Sequence, residues 1–469
     1  MLARKWKPVQ HGRYIILNLK NMSNHKGRRN FIRNSAVIGL GATLNFEKVL
    51  PTVLKAEGKP ALLGGAPLVS TPWPKWPMWN RETDEPLVLE ALRSGVWSRA
   101  KKVALFEEKW AALIGAKRAL TTVNGTNALI TAVAQSDIGG GDEVILPPYT
   151  FIATLTAILN AGAMPVFADV DPDTFLIDPE AIKKKITPRT RAILPVHICG
   201  LPADMGPIMQ IAKQHDLVVI EDACQAWLAE INHKKVGTFG HAGCFSFQNS
   251  KNLPIGEGGA IVSDDEVFMD RCVSYHNLGL PYGTASARPG SKLRLTEYQA
   301  AIGMVQMERL VPQTVTRNEN ARYLRQQMNN IKGIVPHILN AGVTQAAYHL
   351  FPFRYDQRHF ADLPRAQFIK ALQAEGIPCS GGYTPLNDIK NLGNTFETKN
   401  YKKMYPSSEL SYERFRENNQ CPKNERLCQE AVWLPQNVLL ANKSSMDVIV
   451  SAIQKIQKNA AAIHKNTSK

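Results

Sequence analysis

A chain of 469 residues, 44% hydrophobic and 20% charged, is long enough for two domains with sizeable cores and excludes a disordered or fibrous protein. The net charge of +16 invites a nucleic-acid reading, but twelve Lys and Arg face two Glu through Lys59, leaving about +6 for the rest, and no basic–aromatic array follows. Seven scattered cysteines form no Cys-x-x-Cys pair and no Cys/His cluster, which argues against a metal site and a full disulfide framework; Cys421 and Cys428 are near enough in sequence to pair.

Residues 1–58 read as a signal and linker. Gly27-Arg28-Arg29-Asn30-Phe31-Ile32-Arg33 resembles a twin-arginine export signal, and the uncharged run Ala36–Leu44 after it is too short to span a membrane. The expectation is export to the periplasm as a folded protein. A cytoplasmic location follows if the segment is only a basic tail. The region Lys55-Ala56-Glu57 has no clean small-x-small cleavage pattern, so retention as an anchor stays open, and Met22 gives a more usual signal length than Met1. Residues 59–105, rich in Pro and Trp, read as an arm and a first helix, with the tryptophans serving either an interface or packing onto the body.

From 106 to 310 short apolar runs alternate with helical patterns, as in Glu143–Leu146, Pro165–Ala168, Ala192–Val196 and Leu217–Ile220. That spacing predicts βαβ units in a large, mostly parallel sheet, hence an α/β fold. Residues 311–469 form a smaller C-terminal α+β domain, with a strand over Tyr348–Tyr355 and a helix over Ala366–Glu375.

Four motifs in the large domain carry chemistry. Gly125-Thr126 opens a helix after an apolar run; it is either a plain cap or a phosphate cradle built from backbone N–H groups and a hydroxyl. Tyr149-Thr150-Phe151 follows a strand, where an aromatic either packs in the core or stacks on a flat ring. Leu217–Asp222 reads as a buried strand ending in acid, where Asp222 either caps a helix or faces a ligand beyond the strand ends. The run Cys244–Asn252, followed by Gly256-Glu257-Gly258-Gly259, places Lys251 past an apolar strand beside a glycine-rich turn. A lysine so placed is suited to Schiff-base chemistry, most commonly with pyridoxal phosphate (PLP).

Gly125-Thr126, Thr150-Phe151, Glu221-Asp222-Ala223-Cys224-Gln225-Ala226, Phe245-Ser246-Phe247 with Lys251, and Gly256–Gly259 resemble, in order and spacing, the DegT/StrS family of PLP-dependent sugar aminotransferases, from about Pro60 to about Lys455. Trp73-Pro74-Lys75-Trp76-Pro77 and Val432-Trp433-Leu434-Pro435-Gln436-Asn437 are similar to segments of members that aminate keto-cyclitols, such as glutamine:scyllo-inosose aminotransferases, and of 3-amino-5-hydroxybenzoate synthases. The resemblance implies the fold of type I PLP enzymes and a homodimer. It implies that Lys251 forms the internal aldimine and moves protons, Asp222 pairs with the pyridine nitrogen and Gln225 faces the ring oxygen. Phe151 would stack on the ring, Gly125, Thr126 and Ser246 would hold the phosphate, and Lys292 would reach the partner subunit's site. Lys292 stands where the family usually has Asn, Asn124 where it has Ser, and Trp227 where it often has His. His349 and Tyr383 are substrate-wall candidates, with a core histidine and a plain loop aromatic as the other readings; His197 and His241 have no stronger claim.

The implied reaction is ping-pong amino transfer from glutamate or glutamine to a keto-cyclitol or keto-sugar. Members with His at the lysine slot remove a sugar hydroxyl instead, so Lys251 favours transamination. The alternatives are dehydration or aromatisation on the same fold, or a non-catalytic ligand-binding protein. No metal and no nucleic-acid partner are expected.

Overall fold

The computed structural model describes residues 58–467. Seven principal strands form one sheet: β1 Arg118–Thr122, β2 Glu143–Leu146, β3 Met164–Phe167, β4 Thr190–Ile193, β5 Val218–Asp222, β6 Ala242–Ser246 and β7 Gly259–Ser263. Their spatial order is β1-β7-β6-β5-β4-β2-β3. The run from β6 to β3 is parallel, and β7 lies antiparallel between β6 and β1. The mostly parallel α/β sheet expected from the alternating runs is therefore present, and the β6–β7 pair brackets the loop that carries Lys251.

Local sequence explains the ends of these elements. The helix Gly125–Gln135 starts at Asn124, whose Oδ1 accepts the Asn127 N–H at 2.9 Å. Lys101–Ile114 and Ile152–Ala161 end on Gly115 and Gly162 in the left-handed conformation that glycine adopts without strain. β2, β6 and β7 are buried along their whole lengths, as expected of strands covered on both faces.

Alternation along β6 positions the site. Phe245 and Phe247 pack edge-on against Trp110 at 5.1 and 5.2 Å between ring centroids. Ser246, between them, faces the other side, against the start of Gly125–Gln135. The aromatic anchor thus fixes the strand just before the lysine loop.

The 32-residue helix Glu297–Met328 runs without a break across position 310, where the large domain was expected to end. The C-terminal part holds an antiparallel sheet in the order Ile334–Pro336, Leu350–Tyr355, Ala431–Pro435, with the helices Arg365–Ala374 and Lys443–Lys458 beside it.

The arm binds the body through its tryptophans and main chain. Trp73 Nε1 donates to Gly376 O at 2.7 Å, and Asn437 Nδ2 donates to Pro74 O at 2.8 Å. Trp79 and Trp97 remain exposed.

All seven cysteines are free, Cys421 and Cys428 included. Cys421 caps the helix Pro422–Glu430 and Cys428 lies two turns along it, about 10 Å of axial rise away, beyond disulfide reach. Among the described residues no helix is long and apolar enough to cross a membrane, and no group of three His, Cys, Asp or Glu could hold a metal ion. The twin-arginine motif and the signal segment lie outside the described residues.

Candidate active site

The carboxyl ends of the parallel strands gather the chemistry, as the geometry of open α/β sheets dictates. Asp222 ends β5 and is 5% exposed. Its Oδ2 accepts the Thr154 hydroxyl at 2.7 Å, and its Oδ1 accepts the Cys224 N–H at 3.1 Å. Thr154 lies 2.9 Å from Thr150, one helical turn back, so the turn after β2 props the acid. Phe151, at the start of the same helix, is 56% exposed, an unusual position for a large aromatic ring.

Gly125, Ser246 and Cys224 converge beside Asp222. A Cβ on Gly125 would stand 2.8 Å from both Ser246 Cβ and Cys224 Sγ, so only glycine fits. Gly259 presses as closely on the main chain of Asn124 and Gly125. The capping reading is realised through Asn124, which occupies the Asn127 amide, while the Gly125 and Thr126 amides are left without an acceptor among the described residues.

Lys251 sits in the loop after β6. Its Nζ makes no hydrogen bond or ion pair among the described residues. Burial lowers its pKa below the ordinary lysine range, against the opposing pull of Cys224, Asp222 and Cys199. Trp76 donates its indole N–H to the Lys251 carbonyl at 3.2 Å, which ties the arm to the loop.

Gln225 is held at both ends. Its Oε1 accepts the Cys199 N–H at 2.8 Å, and its Nε2 donates to the Tyr383 hydroxyl at 2.9 Å. Tyr383 packs edge-on against Trp433 at 4.7 Å and Tyr149 at 5.4 Å. Tyr149 is fully buried, so within Tyr149-Thr150-Phe151 the core role falls to Tyr149. His349 is 7% exposed and packs edge-on against Trp227 at 5.9 Å. Its Nδ1 is buried without a partner, so it is not a satisfied core histidine. Burial, reinforced by the charges of Lys251 and Arg317, drives its pKa well below the ordinary histidine value.

One chain therefore brings together Lys251, Asp222, Gly125, Thr126, Ser246, Phe151, Gln225, Tyr383 and His349. Lys292 does not join them: it is exposed, and its main chain bridges to Asn277. His197 is structural. Its Nε2 lies 3.0 Å from Glu221 Oε2, and its Nδ1 accepts the Ala203 N–H at 3.0 Å. His241 packs on Phe268 at 4.5 Å.

Sequence reasoning missed Thr154 and Cys199. The four-residue spacing from Thr150 was a readable signal for the first. Cys199 acts through its main chain and gives no side-chain signal.

Residues 79–454 match the DegT/DnrJ/EryC1/StrS aminotransferase family. This chain belongs to that family. It is 32% identical over 431 residues to the L-glutamine:2-deoxy-scyllo-inosose aminotransferase of Streptomyces kanamyceticus, covering 86% of this chain and 98% of that one. It is 37% identical over 301 residues to the spore coat polysaccharide biosynthesis protein SpsC of Bacillus subtilis, covering 61% and 77%. Its fold matches the crystal structure of 3-amino-5-hydroxybenzoic acid synthase with a TM-score of 0.72 at 30% identity, covering 83% and 99%. The chain is accordingly a PLP-dependent aminotransferase of the DegT/StrS type.

The residues of this aminotransferase fit the cofactor. Free amides and a cradle without room for a Cβ suit a phosphate. The exposed Phe151 ring suits a flat heterocycle, and the buried Asp222 and Lys251 suit its nitrogen and its aldehyde.

Proposed function

We propose that this aminotransferase moves an amino group from glutamate or glutamine to a keto-cyclitol or keto-sugar in two half-reactions at one site. The carrying observation is Lys251: a buried amine with no acceptor among the described residues, beside the buried carboxylate of Asp222. The likeness to the Streptomyces kanamyceticus enzyme over nearly the whole of both chains supports a cyclitol acceptor.

Bound PLP supplies an electron sink for the carbon that loses its proton. Lys251 Nζ takes the α-proton of the donor, and its lowered pKa raises the fraction of free amine near neutral pH. Asp222, held by Thr154 and the Cys224 amide, keeps a proton on the pyridine nitrogen. Gln225 has one amide hydrogen beyond its bond to Tyr383 and offers it to the ring oxygen. Gly125, Thr126 and Ser246 would hold the phosphate, and Phe151 would cover a face of the ring. His349, held neutral by burial, and Tyr383 would line the substrate side and offer polar groups to acceptor hydroxyls. In the acceptor half-reaction Lys251 delivers the proton to the former carbonyl carbon.

The active unit is a homodimer in which Lys292 completes the partner subunit's site. In support, Lys292 is exposed on a loop whose Leu278, Leu280 and Tyr282 are also exposed. The twin-arginine motif at Arg28-Arg29 directs folded, loaded enzyme out of the cytoplasm; R28K/R29K together should retain it inside in cell fractionation.

A donor-by-acceptor screen with the PLP-loaded protein tests the reaction. Amine transfer to a ketone is expected, with borohydride fixing the cofactor to Lys251 and K251A lacking both the label and turnover. No transfer to any ketone, or a label at another residue, overturns the reading.

A further inference from the structure

Arg317 is fully buried on the helix Glu297–Met328, yet no carboxylate among the described residues faces it. Its Nε and Nη2 both donate to the neutral Oε1 of Gln436, at 3.0 and 2.5 Å, and Gln313 Oε1 lies 3.5 Å from Nη2. Its Nη1 is buried with no partner among the described residues. Burial pushes the guanidinium pKa down to about 9, which leaves it charged at neutral pH. A buried charge without a counter-charge is strongly unfavourable, so a guanidinium in this setting calls for an anion.

The surroundings say which anion. The Trp76 ring covers the guanidinium with 5.4 Å from Cζ to the ring centroid, and the Trp76 indole N–H is bonded to the Lys251 carbonyl. His349, beside Lys251, feels the charge of Arg317. Trp73–Pro77 and Val432–Asn437, two of the segments outside the cofactor motifs that resemble the cyclitol-aminating members, meet here through Trp76 and Gln436. Arg317 therefore lies one ring away from the main chain of Lys251. A keto-cyclitol carries no anion, whereas glutamate and glutamine carry an α-carboxylate.

We propose that Arg317 is the carboxylate-binding residue for the amino donor, with Trp76 as the cover that the carboxylate displaces to reach Nη1. The proposal rests on the aminotransferase reading and names the donor-side subsite of that same site. Trp76 is suited to move: its ring is only half-buried, and one 3.2 Å hydrogen bond holds its indole N–H. Gln436 orients the guanidinium so that Nη1 is left for the ligand.

The test separates the half-reactions on PLP-loaded enzyme. R317Q should raise the donor KM about a hundredfold, the scale for removing one partner of a buried charge pair. It should leave the acceptor half-reaction, run from enzyme already carrying the amino group, within about twofold, well under one kcal/mol. Glutarate, which has no amine to transfer, should change tryptophan fluorescence in wild type but not in R317Q or W76F, and should raise the Tm of wild type but not of R317Q. If R317Q does not fold, R317K is read the same way, with about a tenfold rise in donor KM from loss of the planar fork. Equal loss in both half-reactions, or glutarate binding to R317Q or R317K as to wild type, overturns the proposal. Absence of amine transfer in wild type sinks the aminotransferase reading instead, and glutarate binding then still decides the role of Arg317.

Discussion

The Thr154 hydroxyl donates to Asp222 Oδ2 at 2.7 Å, linking the helix after β2 to the end of β5. Thr154 is itself fully buried and braced by Thr150. Asp222 is thus oriented by a neighbouring element as well as by the Cys224 N–H just past its own strand. A hydrogen bond to a charged group contributes about 1.5–3 kcal/mol. T154V should therefore lower kcat at least about tenfold. T154S should recover most of the loss. Steady-state rates and the pH dependence of the visible cofactor spectrum check this; an unchanged T154V would show that Asp222 needs no such prop.

The Gly125 turn tolerates no side chain. G125A places a methyl group 2.8 Å from Ser246 Cβ and Cys224 Sγ, so one of the strands β5 and β6 or the helix start has to move. Overpacking of this kind costs about 1–3 kcal/mol. The expected outcome is a much weaker Kd for PLP, measured by equilibrium titration, with a smaller fall in the Tm of the cofactor-free protein. Cofactor affinity equal to wild type would refute the cradle.

Glu375 is a structural clasp. It is fully buried, accepts from Ala61 N at 2.9 Å and Leu68 N at 3.1 Å, and pairs with the 3%-exposed Lys455 at 3.0 Å. Removing one partner of a buried pair costs about 3–5 kcal/mol. E375A should lose that much in urea unfolding and free the arm to proteolysis near Ala61. Replacing both residues with apolar side chains should cost far less than E375A alone, because no uncompensated charge remains.

Acid should release the first helix. Burial works to raise the pKa of Asp84, but Arg309, bonded to both its oxygens at 2.8 and 2.9 Å, together with Asn80 N–H and Thr83, holds it below its ordinary value of 3.8. A carboxyl depressed in the folded state contributes stability above its unfolded pKa and loses it as pH falls through the folded value. Tm should therefore drop below pH 3.8 with a contribution absent from D84N. Titrating both proteins from pH 6 to about pH 2 checks the sign. Identical curves would mean that the pair carries no linkage.

Much of this protein was legible as one-dimensional pattern. Buried parallel strands declare themselves as short apolar runs, and their ends carry the acid at Asp222, the hydroxyl at Ser246 and the lysine loop. Backbone sterics and strand periodicity act locally, so Gly125, Phe245-Ser246-Phe247 and Gly256–Gly259 could be read in place. What lies across the fold could not. Thr154 reaches Asp222 over 68 positions, Tyr383 reaches Gln225 over 158, and Gln436 reaches Arg317 over 119. Whether an arginine is a solvated surface charge or a buried cation awaiting a counter-ion depends on dielectric and partners, and these exist only once distant segments have packed. The sequence by itself determined the sheet, the cofactor and the lysine. Only the tertiary structure decided which side chains orient them, because orientation is a property of contacts, and contacts here join residues far apart along the chain.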